Sequence, residues 1–155
     1  MRESGHNTIP PVPSAARIAV IGANWHTSIV EGLRAGARRA YRDAGGTKPL
    51  VELTAPGAFE LPVLAASVLE RDFDAVAVLG CIIKGETIHD EVIANAIAQG
   101  CTQLAITTKK PVGFGVITAN TMPQAIARSG DDASNKGYEA MVAISGVLAE
   151  MGSPQ

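Results

Sequence analysis

The sequence predicts a three-layer α/β/α sandwich built on a four-stranded, all-parallel sheet. Three observations predict it. Short apolar runs rich in β-branched residues alternate along the chain with longer segments of helical periodicity, a pattern that calls for crossover connections and a sheet covered on both faces. The runs are continuously apolar rather than alternating, as strands buried on both sides are. Finally, the residues that could carry chemistry fall just after the runs, where open α/β sheets bind their ligands.

The elements follow in order. "RIAVIGA" (residues 17–23) is a short apolar run ending in a small-residue turn and reads as a buried strand. In the next segment Ile29, Leu33, Ala37 and Ala40 recur at helical spacing until Gly45-Gly46 stops them. "KPLVELT" (48–54) is a second strand. "GAFELPVLAASVLERD" (57–72) is a second helix, with Pro62 near its beginning, where proline is tolerated. "DAVAVLGCII" (74–83) is the most apolar strand. A helix is expected over 87–107, with Gly100 as a weak point inside it. "PVGFGVIT" (111–118) is the fourth strand. A short helix over 121–130, a polar loop "DDASN" and a closing helix over 136–151 complete the chain. This is a flavodoxin-like arrangement, with an extended N-terminal arm (1–16) and a single domain (17–155).

Composition narrows the class. The chain has 155 residues, 46% hydrophobic and 18% charged, which suits one globular domain with a real core. The formal net charge is −2 and there is no basic block, so a nucleic-acid footprint is not expected. No apolar run reaches membrane-spanning length, and the opening "MRESGHNTIPPVPSAAR" lacks the apolar stretch of a secretory signal. Cys81 and Cys101 show no CxxC spacing, so two free, buried thiols and a reducing cytoplasm are expected.

Four segments follow the strands: "NWH", "APGAFE", "KGETIH" and "TANT". In "KGETIHDE", Gly85 permits close backbone approach, and Thr87 is a candidate N-cap with Asp90 three residues on as a capping-box partner. A helix N-terminus suits a phosphate, and its positive end favours a neutral His89 that can exchange protons. His89 on these grounds is a surface residue beside a cap, or an acid–base group. Metal binding is disfavoured, since the three histidines (His6, His26, His89) form no HxH or HxxxH pair. Trp25 is the only tryptophan and could stack on a flat heterocycle or pack under a loop. Glu60 could accept hydrogen bonds from a polyol or ring N–H, or simply face a helix dipole. Phe114 could be core. Arg128 and Lys136 flank the loop "SGDDASN", and a cationic pair there could hold phosphate or lie solvated on the surface.

Taken together and in order, the blocks "PGAFELP", "GCIIKGETIH", "PVGFGVIT" and "QAIARSGDDASNKG" closely resemble the 6,7-dimethyl-8-ribityllumazine synthases of riboflavin biosynthesis, from about Arg17 to Met151. The resemblance implies condensation of 5-amino-6-ribitylaminouracil with 3,4-dihydroxy-2-butanone 4-phosphate, releasing phosphate and water, with no cofactor and no metal. It places Trp25 as the aromatic stacked on the pyrimidine ring and Ala58, Phe59 and Glu60 against the ribitylaminouracil. Cys81, Ile82 and Ile83 become the strand end that holds the uracil through backbone bonds. Glu86 and Thr87 bind the butanone phosphate, and His89 transfers protons. Phe114 and Arg128 are lent by a neighbouring subunit, and Lys136 lies near the phosphate. A homopentamer follows, either free or assembled into a sixty-subunit shell, with the arm paired to a neighbour's sheet edge and riboflavin synthase as a further partner. The short "SGDDASN" loop favours the shell. Departures from the family pattern are Asp90 and Val92 where aromatics are usual, Lys84 where arginine is common, and Asp131 and Asp132 in the loop. Two rival readings are an archaeal-type riboflavin synthase relative and a non-catalytic flavin-binding or shell protein.

Overall fold

Pro49 and Pro111 lack the N–H that a sheet ladder needs, and the strands they introduce begin just after them. In the computed structural model, which describes residues 8–152, strand β2 spans Val51–Ala55 and strand β4 spans Val112–Ala119. The two strands that lie between them in the sheet are β1 (Ile18–Ala23) and β3 (Ala75–Ile83). All four pair in parallel in the order β2-β1-β3-β4. Ile21 stands opposite Leu53 on one side and Val78 on the other, and Cys81 stands opposite Ile117. Every residue of β1 is buried, as its unbroken apolar run predicts.

Among the described residues, five α-helices cover the sheet. Helices α1 (Thr27–Asp43) and α5 (Lys136–Met151) lie on one face, where Leu33, Met141 and Ile144 are fully buried with Ile18, Val20, Ala77 and Leu79. Helices α2 (Leu61–Leu69) and α3 (His89–Thr108) lie on the other, where Leu61, Ala65 and Ile97 meet Ile21, Val76 and Val78. Each fully buried Leu or Ile contributes about 1.5–3 kcal/mol of burial free energy. The short α4 (Met122–Ala127) packs Ala125 against the α1 face. The result is the expected flavodoxin-like α/β sandwich.

Several boundaries differ from the sequence reading for local reasons. The second helix begins at Leu61 rather than Gly57, and a single 3-10 turn (Ala58–Glu60) precedes it. Pro62 has no N–H, so the α-helical ladder starts around it. The third helix begins at His89 rather than Thr87, with Ile88 at the N-cap and no capping bond from a side chain. Gly100 does not weaken it; the glycine lets α2 and α3 close up, since a Cβ there would come 3.3 Å from Pro62. Helix α1 ends as expected, with Gly45 at φ +77° in the left-handed conformation that terminates helices.

Of the expected N-terminal arm, residues 1–7 lie outside the described residues, as do 153–155. Farther on, Val12 and Ala16 are buried beside Tyr41 and Ala44 of the same chain, and the Val12 N–H donates to the Ala44 carbonyl at 3.0 Å. Cys81 and Cys101 are free and buried. Among the described residues, no helix is long and apolar enough to cross a membrane.

Candidate functional site

The strand order reverses between β1 and β3, and loops that leave those two strands must diverge there. A cleft of about 490 Å³ opens at this point, over the C-terminal ends of the strands. Trp25 and His26 reach it from the end of β1, and Gly57 to Glu60 from the turn after β2. Cys81, Ile82, Ile83, Gly85, Thr87, His89, Asp90 and Ile93 reach it from β3 and the start of α3.

Each wall has a local cause. Trp25 is 66% exposed and Phe59 60% exposed, a large apolar area left uncovered at the mouth of a polar turn. The β-position of Gly57 lies 3.0 Å from the Glu60 carboxylate and 3.5 Å from the indole nitrogen of Trp25, so an acceptor and a stacking surface bracket one glycine. Behind them Gly80 lets Leu61, Ala23 and Ala58 close over the sheet at ordinary contact distance. Cys81 forms part of the floor. Burial raises its thiol above the ordinary range, which makes it a poor nucleophile and a wall rather than a reactant.

On the β3 side, the Thr87 hydroxyl accepts the main-chain N–H of His89 at 3.3 Å. This replaces the expected cap: Thr87 satisfies the first N–H of α3 from one residue before the N-cap, and no capping-box bond from Asp90 forms. His89 therefore sits at the first position of a 20-residue helix, exposed toward the cleft. Asp90 and Glu91 occupy the rest of the first turn, where carboxylates complement the helix dipole.

The other expected site residues lie elsewhere on the chain. Phe114 is 42% exposed on β4 and lines a groove with Ala98, Cys101, Thr102 and Ile106 of α3. Arg128 and Lys136 line a separate cleft of about 430 Å³ with Gln124 and the end of β4. Among the described residues the Arg128 guanidinium has no hydrogen-bond or ion-pair partner, whereas Lys136 donates to Glu139 at 2.8 Å. Glu86 is exposed beside the first cleft without lining it. Within one chain, then, Trp25, Ala58, Phe59, Glu60, Cys81, Ile82, Ile83, Thr87 and His89 come together, and Phe114, Arg128 and Lys136 do not join them.

The cleft also includes His26, Gly57, Asp90 and Ile93, which the sequence reading did not select as site residues. His26 had one usable signal, its place directly after the first strand. Its backbone takes φ 50° and ψ 56°, a left-handed conformation that costs a non-glycine residue about 1–3 kcal/mol and gathers at functional sites. Among the described residues no cluster of three or more His, Cys, Asp or Glu could hold a metal ion.

Fold and cleft together define a flavodoxin-like α/β protein with an open cleft at its topological switch point, the place where such sheets bind their ligands. A family model described as 6,7-dimethyl-8-ribityllumazine synthase matches residues 15–151. Proteins bearing that same description are close relatives. One from Kineococcus radiotolerans is 46% identical over 132 residues, covering 84% of this chain and 81% of the relative. Another from Arthrobacter sp. (strain FB24) is 46% identical over 136 residues, covering 86% and 83%. A third from Micrococcus luteus is 42% identical over 156 residues, covering 97% and 96%. The chain belongs to the 6,7-dimethyl-8-ribityllumazine synthase family, a family of transferases. The riboflavin synthase and non-catalytic readings are not favoured.

Proposed function

We propose that this protein condenses 5-amino-6-(D-ribitylamino)uracil with 3,4-dihydroxy-2-butanone 4-phosphate to 6,7-dimethyl-8-ribityllumazine, releasing phosphate and water. The observation that carries this reading is the switch-point cleft of a family member. There a bare indole (Trp25), a carboxylate (Glu60), the β3 strand end (Cys81, Ile82, Ile83) and the Thr87–His89 turn face one space. Trp25 stacks on the pyrimidine, and Glu60 with Ala58 and Phe59 meets the ribityl chain. Backbone groups of Cys81 to Ile83 hold the uracil edge. Glu86 and Thr87 receive the butanone phosphate.

Schiff-base formation, phosphate loss and ring closure each move protons, and His89 moves them at the cleft mouth. The remaining acceleration comes from holding two reactants in register, so neither cofactor nor metal has a step to perform.

The same reading makes the chain a homopentamer, because Phe114, Arg128 and Lys136 complete the site only if a neighbour brings Phe114 and Arg128 to the open cleft. The exposed apolar side chains Val63, Ile88, Val92 and Ile106 support a subunit contact. The short loop 129–135 favours further assembly into a sixty-subunit shell, and riboflavin synthase is the partner that consumes the product. Two buried free thiols suit the reducing cytoplasm.

The direct test mixes purified protein with both substrates and follows lumazine fluorescence and phosphate release. No product above the spontaneous rate overturns the reading. Sedimentation under the same conditions tests the assembly, and a monomer of full activity removes the shared-site proposal.

A further inference from the structure

We infer that Asn135 is a positioning residue for Arg128 and Lys136. It sets the phosphate-binding pair through the loop between α4 and α5 without touching substrate. The inference rests on the reading of Arg128 and Lys136 as phosphate ligands.

Asn135 is fully buried, one of three buried polar or charged residues among those described. Its side-chain amide donates to the Gly32 carbonyl of α1 at 3.0 Å and to the Gly130 carbonyl of the loop at 2.8 Å. Its oxygen accepts the Tyr138 N–H at 3.0 Å and caps α5. One amide thus joins three segments. Capping alone needs only an acceptor, which Ser, Thr or Asp would supply equally well. The two donor bonds are what asparagine adds, and no carboxylate or hydroxyl can make both.

The neighbouring glycines are fitted to the same junction. A Cβ at Gly36 would fall on the Asn135 amide, one at Gly32 on the Ser129 carbonyl, and one at Gly137 on the Leu33 carbonyl. Helix α1 therefore meets the loop at Gly32 and α5 at Leu33 by close backbone approach, and Gly36 leaves the space that the Asn135 amide fills. The loop is also closed across its ends, since the Lys136 N–H donates to the Arg128 carbonyl at 2.9 Å. Its outer side is tied down by Arg39, which pairs with Asp131 at 3.6 Å and donates to the Asp132 carbonyl at 3.4 Å. A buried, fully paired amide holds one geometry because any alternative leaves its donors unsatisfied in a low-dielectric site. What it holds is the backbone of the two residues whose cationic side chains line the cleft at the end of β4.

The test measures steady-state kinetics in both substrates, with thermal melting, for Asn135→Ser, Gly36→Ala, Arg128→Ala and the double variant Asn135→Ser/Arg128→Ala. Asn135→Ser keeps an acceptor for α5 and removes both donors. Gly36→Ala displaces the amide while leaving Asn135 in place, and covers the case in which the serine variant does not fold. The expected result is a KM for the butanone phosphate raised about fivefold, with kcat and the other KM within about twofold, as loss of binding geometry gives. In the Arg128→Ala background the serine change raises that KM by less than it does alone, because only Lys136 is left to position. A lowered Tm with both KM values unchanged, or effects that multiply in the double variant, overturns the positioning role. If Arg128→Ala itself leaves the KM unchanged, the phosphate reading fails first and the inference falls with it.

Discussion

The hydroxyl oxygen of Thr87 accepts the main-chain N–H of His89 at 3.3 Å, so the residue expected to bind phosphate and the residue expected to move protons share one turn of backbone. As an acceptor in this bond, Thr87 keeps its own O–H proton free to donate to a phosphate oxygen. Thr87→Ala should raise the KM for the butanone phosphate about tenfold and lower kcat several-fold, since one charge-assisted hydrogen bond is worth roughly 1.5–3 kcal/mol. Thr87→Ser should restore both. A serine variant as impaired as the alanine one would show that the methyl, not the hydroxyl, matters.

His89 stands at the first position of α3 with no structural bond from its ring among the described residues. Removing it should therefore leave stability alone and cost chemistry. His89→Ala should lower kcat by about 10²-fold or less, the low end of what a general acid–base group contributes, with Tm unchanged. Complete loss of turnover would mean that proximity carries less of the rate than the cleft geometry implies.

Trp25 is two-thirds exposed, and its truncation removes little packing. Trp25→Ala should raise the KM for the ribitylaminouracil about tenfold, because stacking of a base on an aromatic is worth roughly 1–3 kcal/mol. Trp25→Phe should recover most of it. Equal KM values for wild type and the alanine variant would remove the stacking role.

Glu52 on β2 joins the α1 face to the sheet edge: Arg38 donates to it at 2.7 and 2.9 Å and Arg34 at 3.2 Å. The Arg38 hydrogen bonds, ahead of the Arg34 charge, hold its carboxyl below the usual carboxylate range. A depressed carboxylate contributes stability that is present above the unfolded-state value and is lost as pH falls through the folded-state value. The wild type should therefore lose stability below about pH 4.5, and Glu52→Gln should be less stable at pH 7 with a shallower acid decline. Chemical denaturation at pH 7 and pH 3 measures both. Parallel stability–pH curves for the two proteins would show that the pair contributes nothing.

Much of the fold was legible because its physics is local. The apolar runs at 17–23 and 74–83 have no amphipathic option and can only be central strands. Gly45-Gly46 announces a helix end. The helix starts were less legible. Thr87 looks like a cap in sequence, yet Ile88 holds that position in space, because a side-chain bond to the first N–H serves as well as one to the second or third. His26 was legible only through its place directly after the first strand, since nothing in "NWH" reveals a left-handed backbone.

The sequence by itself determined the order of strands and helices, the burial of both thiols and the family to which the chain belongs, because periodicity, turn residues and ordered motifs are properties of the chain read in line. Only the tertiary structure decided which of those residues share a space. Trp25, Glu60, Cys81 and His89 meet because β1 and β3 are neighbours in a sheet whose order reverses between them. Arg128 and Lys136 are held at the far side of β4 by an asparagine whose three partners lie in three separate segments, up to 103 residues away in sequence. Contacts between distant segments depend on how the layers pack, and no local pattern encodes that distance.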